Sequence, residues 1–169
     1  MKMTKFAPVL LFVYNRIETT KQTIIHLKNN TLAHETDLFI YSDGGKDKKS
    51  WKQVNMLRQY LRTISGFKNV FLVERRINYY LERNIIDVIN HYGRVIVIED
   101  DVLTNPYYLQ YMNDVLTFYE KEKRVMHISS IPHFSIRTDN DITFTSLMEC
   151  GWGWATWKDR WDNFKYYTN

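Results

Sequence analysis

The sequence of 169 residues lacks the marks of several protein classes. It contains one cysteine, Cys150, which cannot form a disulfide within the chain, and this favours a reducing compartment such as the cytoplasm. No apolar run approaches the roughly 18 residues of a membrane span. The apolar stretch 8–14 is too short for the core of a signal peptide, and no cleavage site follows it. We therefore expect neither a transmembrane segment nor a secretory leader.

Common phosphate-binding and nucleophile motifs are missing too. The chain has no GxGxxG or GxxxxGK[ST] loop and no GxSxG elbow, which argues against a Rossmann dehydrogenase, a P-loop NTPase and an α/β-hydrolase. Its five histidines do not follow zinc-ligand spacing. The net charge of +4 is spread along the chain, so it predicts weak attraction to anionic ligands or membrane surfaces and no nucleic-acid partner.

What the chain does have is a regular alternation of apolar runs and amphipathic stretches, which is typical of an α/β fold. Strands are predicted at 8–14, 38–42, 69–74, 94–98, 125–130 and 142–148, and helices at 18–30, 51–64 and 79–92. Asn105 and Pro106 predict the cap and first residue of a further helix through Tyr119, and the tail from Trp157 is predicted to be helical. No linker or repeat interrupts this order, so we expect one doubly wound domain over residues 1–169.

Three of the predicted strands end in polar clusters. The clusters are Asn15-Arg16, Asp43-Gly44-Gly45 and Glu99-Asp100-Asp101. Because the carboxyl ends of parallel strands lie at one edge of a sheet, and ligands bind beyond that edge, we expect the three clusters to converge on one site.

The acidic triplet 99–101 directly follows a fully apolar strand. Carboxylate oxygens suit hard divalent cations, and Mg²⁺ or Mn²⁺ is typically held by one or two carboxylates together with substrate phosphates. The alternative is a solvated turn whose charges lie near a helix N-terminus. The preceding buried strand favours the cation site.

Asp43 and Arg16 each allow two interpretations. Asp43 is either a turn former beside two glycines with positive φ, or a carboxylate aimed at a base or ribose, where the glycines permit close approach of the ligand. Arg16 is either a surface arginine or a bidentate partner of a diphosphate.

The segment 150–162, CGWGWATWKDRWD, holds four tryptophans in ten residues. Glycines let the chain turn tightly and expose indoles, and aromatic faces stack on the C–H faces of sugars. Asp159 or Asp162 would supply a general base beside them. The alternative is a tryptophan-rich packing element within the core.

Four segments in order resemble the GT-A fold glycosyltransferases, in particular bacterial sugar transferases similar to N-acetylglucosaminyltransferase I. They are FAPVLLFVYNR, LFIYSDGG, RVIVIEDDVLTNPYYLQYMNDVLTFY and GWGWATWKDRW, and the resemblance covers essentially the whole chain. It implies a Rossmann-like three-layer α/β/α sandwich with a mostly parallel sheet. The domain is short at its C-terminal side compared with the family. The pattern departs from the family at Tyr80, where relatives usually carry glycine.

The resemblance also implies a function and a set of site residues. The chain would transfer a sugar from a nucleotide-diphospho-sugar, with a UDP-sugar as the expected donor, to a glycan or lipid-linked acceptor, with inversion and with Mn²⁺ or Mg²⁺. Its implied residues are Asp101 for the metal, Asn15, Arg16, Asp43 and Asp100 for the nucleotide, Glu99, Trp152 and Trp154 for the sugars, and Asp159 as catalytic base, with Asp162 as the second candidate.

Two further expectations concern the cellular location of the chain and a competing function. The chain is expected in the cytoplasm, with peripheral contact at the inner face of the membrane, and the exposed tryptophans suggest a homodimer contact. The competing hypothesis is a non-catalytic or truncated nucleotide-sugar-binding domain of the same fold.

Overall fold

A computed structural model of the chain describes residues 5–130 and 151–163. Its centre is a six-stranded sheet in the order β3-β2-β1-β4-β6-β5. The strands are β1 Val9–Val13, β2 Asp37–Ser42, β3 Asn69–Glu74, β4 Arg94–Glu99, β5 Ile128–Ser129 and β6 Trp154–Trp157. The first four strands pair in parallel, and β6 pairs antiparallel with both β4 and β5.

Five α-helices accompany these strands in the described residues. They are α1 Ile17–Lys28, α2 Lys48–Leu61, α3 Tyr80–Ile89, α4 Tyr108–Phe118 and the short α5 Lys158–Trp161. A 3₁₀ turn at Ala33–Glu35 precedes β2. No helix of these residues is both long and apolar enough to cross a bilayer.

Helices cover both faces of the sheet, because the central strands are apolar on both sides. Every residue of β1 is buried. On one face Leu11 packs in a cluster with residues of α1, α2 and α4. On the other face Leu10 packs with Val88 and Ile89 of α3. The predicted α/β sandwich with a mostly parallel sheet is therefore confirmed.

The helix boundaries differ from the predicted ones where local caps decide them. Helix α2 begins at Lys48, three residues before the predicted start, because Asp47 and Ser50 form a capping box. Helix α4 begins at Tyr108 instead of Pro106. Asn105 nevertheless caps the preceding turn, since its Oδ1 accepts the Tyr107 N–H at 2.8 Å.

The C-terminal strands differ more from the prediction. The strand predicted at 125–130 is reduced to Ile128–Ser129. The tryptophan segment, for which no strand was predicted, supplies β6 between β4 and β5. The strand predicted at 142–148 lies outside the described residues.

Candidate functional site

A cavity of about 120 Å³ lies at the carboxyl edge of the sheet, where β1, β2 and β4 end. Its walls come from these strand ends and from the start of α3. The lining residues are Phe12, Val13, Tyr14, Arg16, Tyr41, Asp43, Leu81, Asn84, Glu99 and Asp100. The structure thus brings together four of the predicted site residues: Arg16, Asp43, Glu99 and Asp100.

Arg16 pairs with the acidic triplet across this edge. One of its terminal nitrogens, Nη2, donates to Asp100 Oδ1, and the other, Nη1, lies 3.1 Å from Asp101 Oδ2. The hydrogen bond to Asp100 is the main cause of a raised pKa for Arg16. The positive charge beside the triplet in this structure is therefore the guanidinium of the chain itself.

The half-buried Glu99 and the buried Asp100 differ in their surroundings. Burial, followed by repulsion from Asp101 and Asp100, raises the pKa of Glu99. Asp100 is 4% exposed, and its Oδ2 is buried without a hydrogen-bond partner among the described residues. A buried acceptor without a donor is costly, so this oxygen is suited to a cation or a donor from a ligand.

Asp43 holds the end of β2 against the start of α3. Its Oδ1 accepts two backbone N–H groups, from Gly44 at 2.9 Å and from Tyr79 at 2.7 Å. The side chain is 6% exposed. Asp43 therefore supports the loops that form the cavity wall, and Oδ2 lies outside both of these bonds.

Gly44 has a packing role that differs from both expected roles. A Cβ at this position would lie 2.4 Å from the backbone carbon of Ile77, so only glycine permits this approach. Neither Gly44 nor Gly45 has positive φ. The close approach is to the chain's own backbone, which places Tyr79 beside Asp43.

Several lining residues carry no motif that would identify them from the sequence. Asn84 is 2% exposed; its Oδ1 accepts from Arg75 Nε at 3.0 Å, and its Nδ2 donates to the Tyr80 carbonyl at 3.1 Å. The one feature of the sequence that could have identified Asn84 is a polar residue on the inward face of an amphipathic helix.

Tyr80, the position where the resemblance departs from the family, has φ 60°. No other non-glycine residue of the described part has positive φ. A tyrosine in this left-handed region is strained, at a cost of roughly 1–2 kcal/mol. Tyr80 is 57% exposed, and the Lys46 ammonium lies 4.2 Å from its ring centroid and 5.7 Å from the ring centroid of Tyr14, at the cavity wall.

We expect Tyr80→Gly to raise the free energy of unfolding by about 1 kcal/mol, because glycine adopts positive φ without strain. Urea denaturation at pH 7 measures this change. Tyr107→Gly is the matched control, since Tyr107 is 69% exposed and has φ −104°, where glycine relieves nothing. A loss of stability in Tyr80→Gly comparable to that control would mean that the ring contacts outweigh the backbone strain.

The predicted site residues Asn15, Asp101 and Trp152 do not line the cavity. Asn15 turns toward α2, where its Nδ2 donates to Gln53 Oε1 at 2.9 Å. Asp101, half exposed, is held by Arg16. Trp152 is 64% exposed next to Gly153, which has φ 68° and approaches Val102 just after the triplet.

Trp154 lies within the sheet, in β6, where it pairs with Val97. Its ring centroid is 5.9 Å from that of Trp161, and both rings pack against the core cluster that contains Val88 and Ile89 of α3. Trp157 is 3% exposed and donates its indole N–H to the Leu116 carbonyl at 3.2 Å. These three tryptophans serve packing, in line with the alternative interpretation of the segment, and Trp152 is the exposed one.

Asp159 and Asp162 are not brought to the cavity. Strand β6 runs antiparallel to β4, so α5 begins at the amino end of β4, where the Lys158 N–H donates to the Gly93 carbonyl at 2.8 Å. The length of β4, about 16 Å at 3.3 Å per residue, separates this end from the triplet. Asp159 is 2.5 Å from Lys123 Nζ and 2.8 Å from Arg160 Nη1, and the Lys123 bond is the main cause of its lowered pKa.

The residues at the triplet fit a hard divalent cation bound by few protein ligands. No group of three or more His, Cys, Asp or Glu side chains in the described residues is arranged to hold a metal. Mg²⁺ and Mn²⁺ need only one or two carboxylates when phosphates complete the coordination. The unpartnered Asp100 Oδ2 and the half-exposed Asp101 carboxylate provide that number.

No family model and no curated protein sequence matches the chain. Similar solved structures include the mannosyltransferase PcManGT from Pyrobaculum calidifontis in complex with GDP-Man and Mn²⁺, 14% identical over 68% of this chain and 35% of that chain, with a TM-score of 0.44. TarS from S. aureus is 12% identical over 68% of this chain and 20% of its own, with a TM-score of 0.45. TarS 1–349 is 13% identical over 78% and 38%, with a TM-score of 0.45.

The chain thus spans well under half the length of these neighbours. PcManGT is described as a mannosyltransferase, and the particular similarity of this chain to N-acetylglucosaminyltransferase I stays a prediction. Likeness at this level concerns the fold and carries no conclusion about activity.

Proposed function

We propose that this chain binds a nucleotide-diphospho-sugar at the carboxyl edge of its sheet and acts as the donor-binding unit of a glycosyltransferase. The observation that carries the proposal is the convergence of Arg16, Asp43, Glu99 and Asp100 on one cavity. These residues come from three different strand ends, and a solvated turn would not require that convergence.

Charge favours a cation-assisted anionic ligand at this site. Four carboxylates lie at or beside the cavity, those of Asp43, Glu99, Asp100 and Asp101, against the Arg16 guanidinium and the Lys46 ammonium over the Tyr14 ring. Such a site repels a diphosphate unless additional positive charge arrives with it. A Mn²⁺ or Mg²⁺ ion held by Asp101 and Asp100 would offset this repulsion, and the negative charge on a departing diphosphate would be stabilised by it.

The remaining residues would position the donor. Arg16 has the bidentate geometry for diphosphate oxygens. Asp43 Oδ2 is available for a base or ribose group, with uracil as the expected base. Glu99 would contact the donor sugar, and Trp152, exposed beside the triplet, would stack on a donor or acceptor sugar. A glycan or lipid-linked hydroxyl is the proposed acceptor, and inversion the proposed outcome.

A second candidate is nucleotide-sugar binding without transfer. It is favoured by the placement of Asp159 and Asp162 at the far end of β4, because neither can take a proton from an acceptor at the cavity in this conformation. We therefore do not assign the catalytic base to either residue. Turnover of a UDP-sugar to free sugar or glycan distinguishes the two candidates.

We expect UDP to raise the melting temperature, and to raise it more with Mn²⁺ than with a chelator. A ligand at 100 times its dissociation constant adds about 2.7 kcal/mol. Thermal denaturation with UDP, GDP and UDP-N-acetylglucosamine, each with Mn²⁺ or EDTA, tests this; GDP is included because a similar structure holds GDP-Man. Asp101→Asn should lose the Mn²⁺ increment, and Asp114→Asn, on the exposed side of α4, should keep it.

Two results would count against this proposal. Equal shifts of the melting temperature with Mn²⁺ and with EDTA would show that nucleotide binding does not involve the metal. No shift with any nucleotide in either condition would remove the nucleotide site.

A further inference from the structure

We infer that Arg16 is the built-in counter-ion of the acidic turn 99–101, and that a divalent cation binds this turn only by displacing the Arg16 guanidinium. The displaced guanidinium is then free to face the diphosphate. This inference rests on the proposed function for the diphosphate step, whereas the displacement itself concerns the cation alone.

The first support is the way Arg16 uses its two terminal nitrogens. Nη2 donates to Asp100 Oδ1, and Nη1 lies 3.1 Å from Asp101 Oδ2, so one planar group bridges two adjacent carboxylates. These are the same carboxylates that offer oxygen ligands to a cation. The guanidinium and the ion therefore compete for one pair of side chains.

The second support is the unsatisfied oxygen of Asp100. Its Oδ2 is buried and lacks a partner in the part of the chain that the structure describes, although Arg16 occupies Oδ1. Arg16 thus satisfies Asp100 only in part. A cation that replaces it can use an acceptor that the arginine leaves unpaired.

The third support is that the Arg16 side chain can leave while its backbone stays. The side chain is 50% exposed. Its carbonyl accepts the Thr20 N–H at 3.0 Å and the Thr20 hydroxyl at 2.7 Å, at the start of α1. Rotation of the side chain toward the cavity, which Arg16 also lines, requires no change in the helix.

Competition of this kind predicts coupled binding. A cation alone must break two ion pairs and leaves the guanidinium without a partner. When a diphosphate is present, the released guanidinium gains a new anion, so cation and nucleotide bind more tightly together than separately. Arg16 would then oppose metal binding and favour nucleotide binding.

The test measures Mn²⁺ alone and then UDP. We expect Arg16→Gln to bind Mn²⁺ at least tenfold more tightly than wild type, measured from the free-ion electron paramagnetic resonance signal without nucleotide. We expect the same variant to bind UDP at least tenfold more weakly at saturating Mn²⁺, measured by calorimetry. Arg16→Lys, which keeps a charge but cannot bridge both carboxylates as a planar fork, should give intermediate Mn²⁺ affinity.

Arg62→Gln is the matched control. Arg62 has a side chain 56% exposed and pairs with Glu74 at 2.6 Å, away from the turn, so its Mn²⁺ and UDP affinities should equal those of wild type. Arg16→Gln combined with Asp101→Asn should lose the gained Mn²⁺ affinity.

Unchanged or weaker Mn²⁺ binding in both Arg16 variants, with melting curves that show them folded, would overturn the inference. If Arg16→Gln binds Mn²⁺ more tightly than wild type as expected, but neither protein binds any nucleotide, the displacement stands and the proposed function fails. If wild type binds UDP with Mn²⁺ and the variants do not change Mn²⁺ affinity, the proposed function stands and the displacement fails.

Discussion

Replacing Arg58 with alanine is expected to lower the free energy of unfolding by about 3–5 kcal/mol, the largest effect among the substitutions considered. Arg58 is 6% exposed in the last turn of α2. Its Nε donates to Ser42 Oγ at 3.0 Å, and its Nη2 donates to the carbonyls of Ser42, Asp43 and Arg75 at 3.1, 3.2 and 2.8 Å. Alanine would leave a cavity and remove these donors from the ends of two strands.

Burial lowers the pKa of Arg58, while Glu74, 3.6 Å from Nη1, opposes that change. The charge is therefore retained at neutral pH, and the four hydrogen bonds are charge-assisted. Urea denaturation at pH 7 measures the loss. Arg62→Ala is the control, because Arg62 shares Glu74 but is exposed, and we expect it to cost no more than about 1 kcal/mol. A loss that small for Arg58→Ala would show that water replaces its bonds.

The second large effect is expected for Asp43→Ala, at about 2–4 kcal/mol of lost stability. A strand-end carboxylate that only faced a ligand would support no core, and its removal would leave the fold intact. The two backbone N–H groups on Oδ1, from Gly44 and Tyr79, indicate the opposite. Without Asp43 the Tyr79 N–H loses this acceptor, and the Gly44 N–H keeps only its longer bond to the Ile77 carbonyl at 3.2 Å.

Asp43→Asn separates the structural role from the binding role. The amide oxygen can still accept the two N–H groups, so we expect stability within about 1 kcal/mol of wild type, whereas UDP affinity should fall because the charge and the second acceptor are gone. Asp37→Ala is the control for stability, since Asp37 accepts a hydrogen bond from the exposed Asn69 side chain at 2.7 Å. An Asp43→Ala protein as stable as Asp37→Ala would refute the supporting role.

Both predictions concern the same part of the wall of the cavity. Arg58 donates hydrogen bonds to the backbone at the ends of β2 and β3, and Asp43 accepts one from the backbone just before α3. The nucleotide site that we propose is thus built on a buried hydrogen-bonded support and not on loop conformation alone. Loss of ligand binding in either alanine variant would follow from loss of this support.

The sequence predicted the central sheet well because burial of a parallel strand leaves a local mark. The runs at 8–14, 38–42, 69–74 and 94–98 correspond to β1 to β4 within one or two residues at each end. The convergence of Arg16, Asp43, Glu99 and Asp100 also followed, because parallel strands place their carboxyl ends at one edge. Arg58 was not predicted, although it lies on the buried side of α2 with Val54, Leu57 and Leu61.

The sequence by itself therefore determined the α/β class, the first four strands and the edge at which polar residues gather, since apolar periodicity and strand direction are local properties. Only the tertiary structure decided which partner each charge takes. The hydrogen bond between Arg16 and Asp100 joins residues 84 positions apart. The insertion of β6 antiparallel beside β4, which carries Asp159 to the far end of the sheet, depends on long-range strand pairing that no short stretch of sequence records.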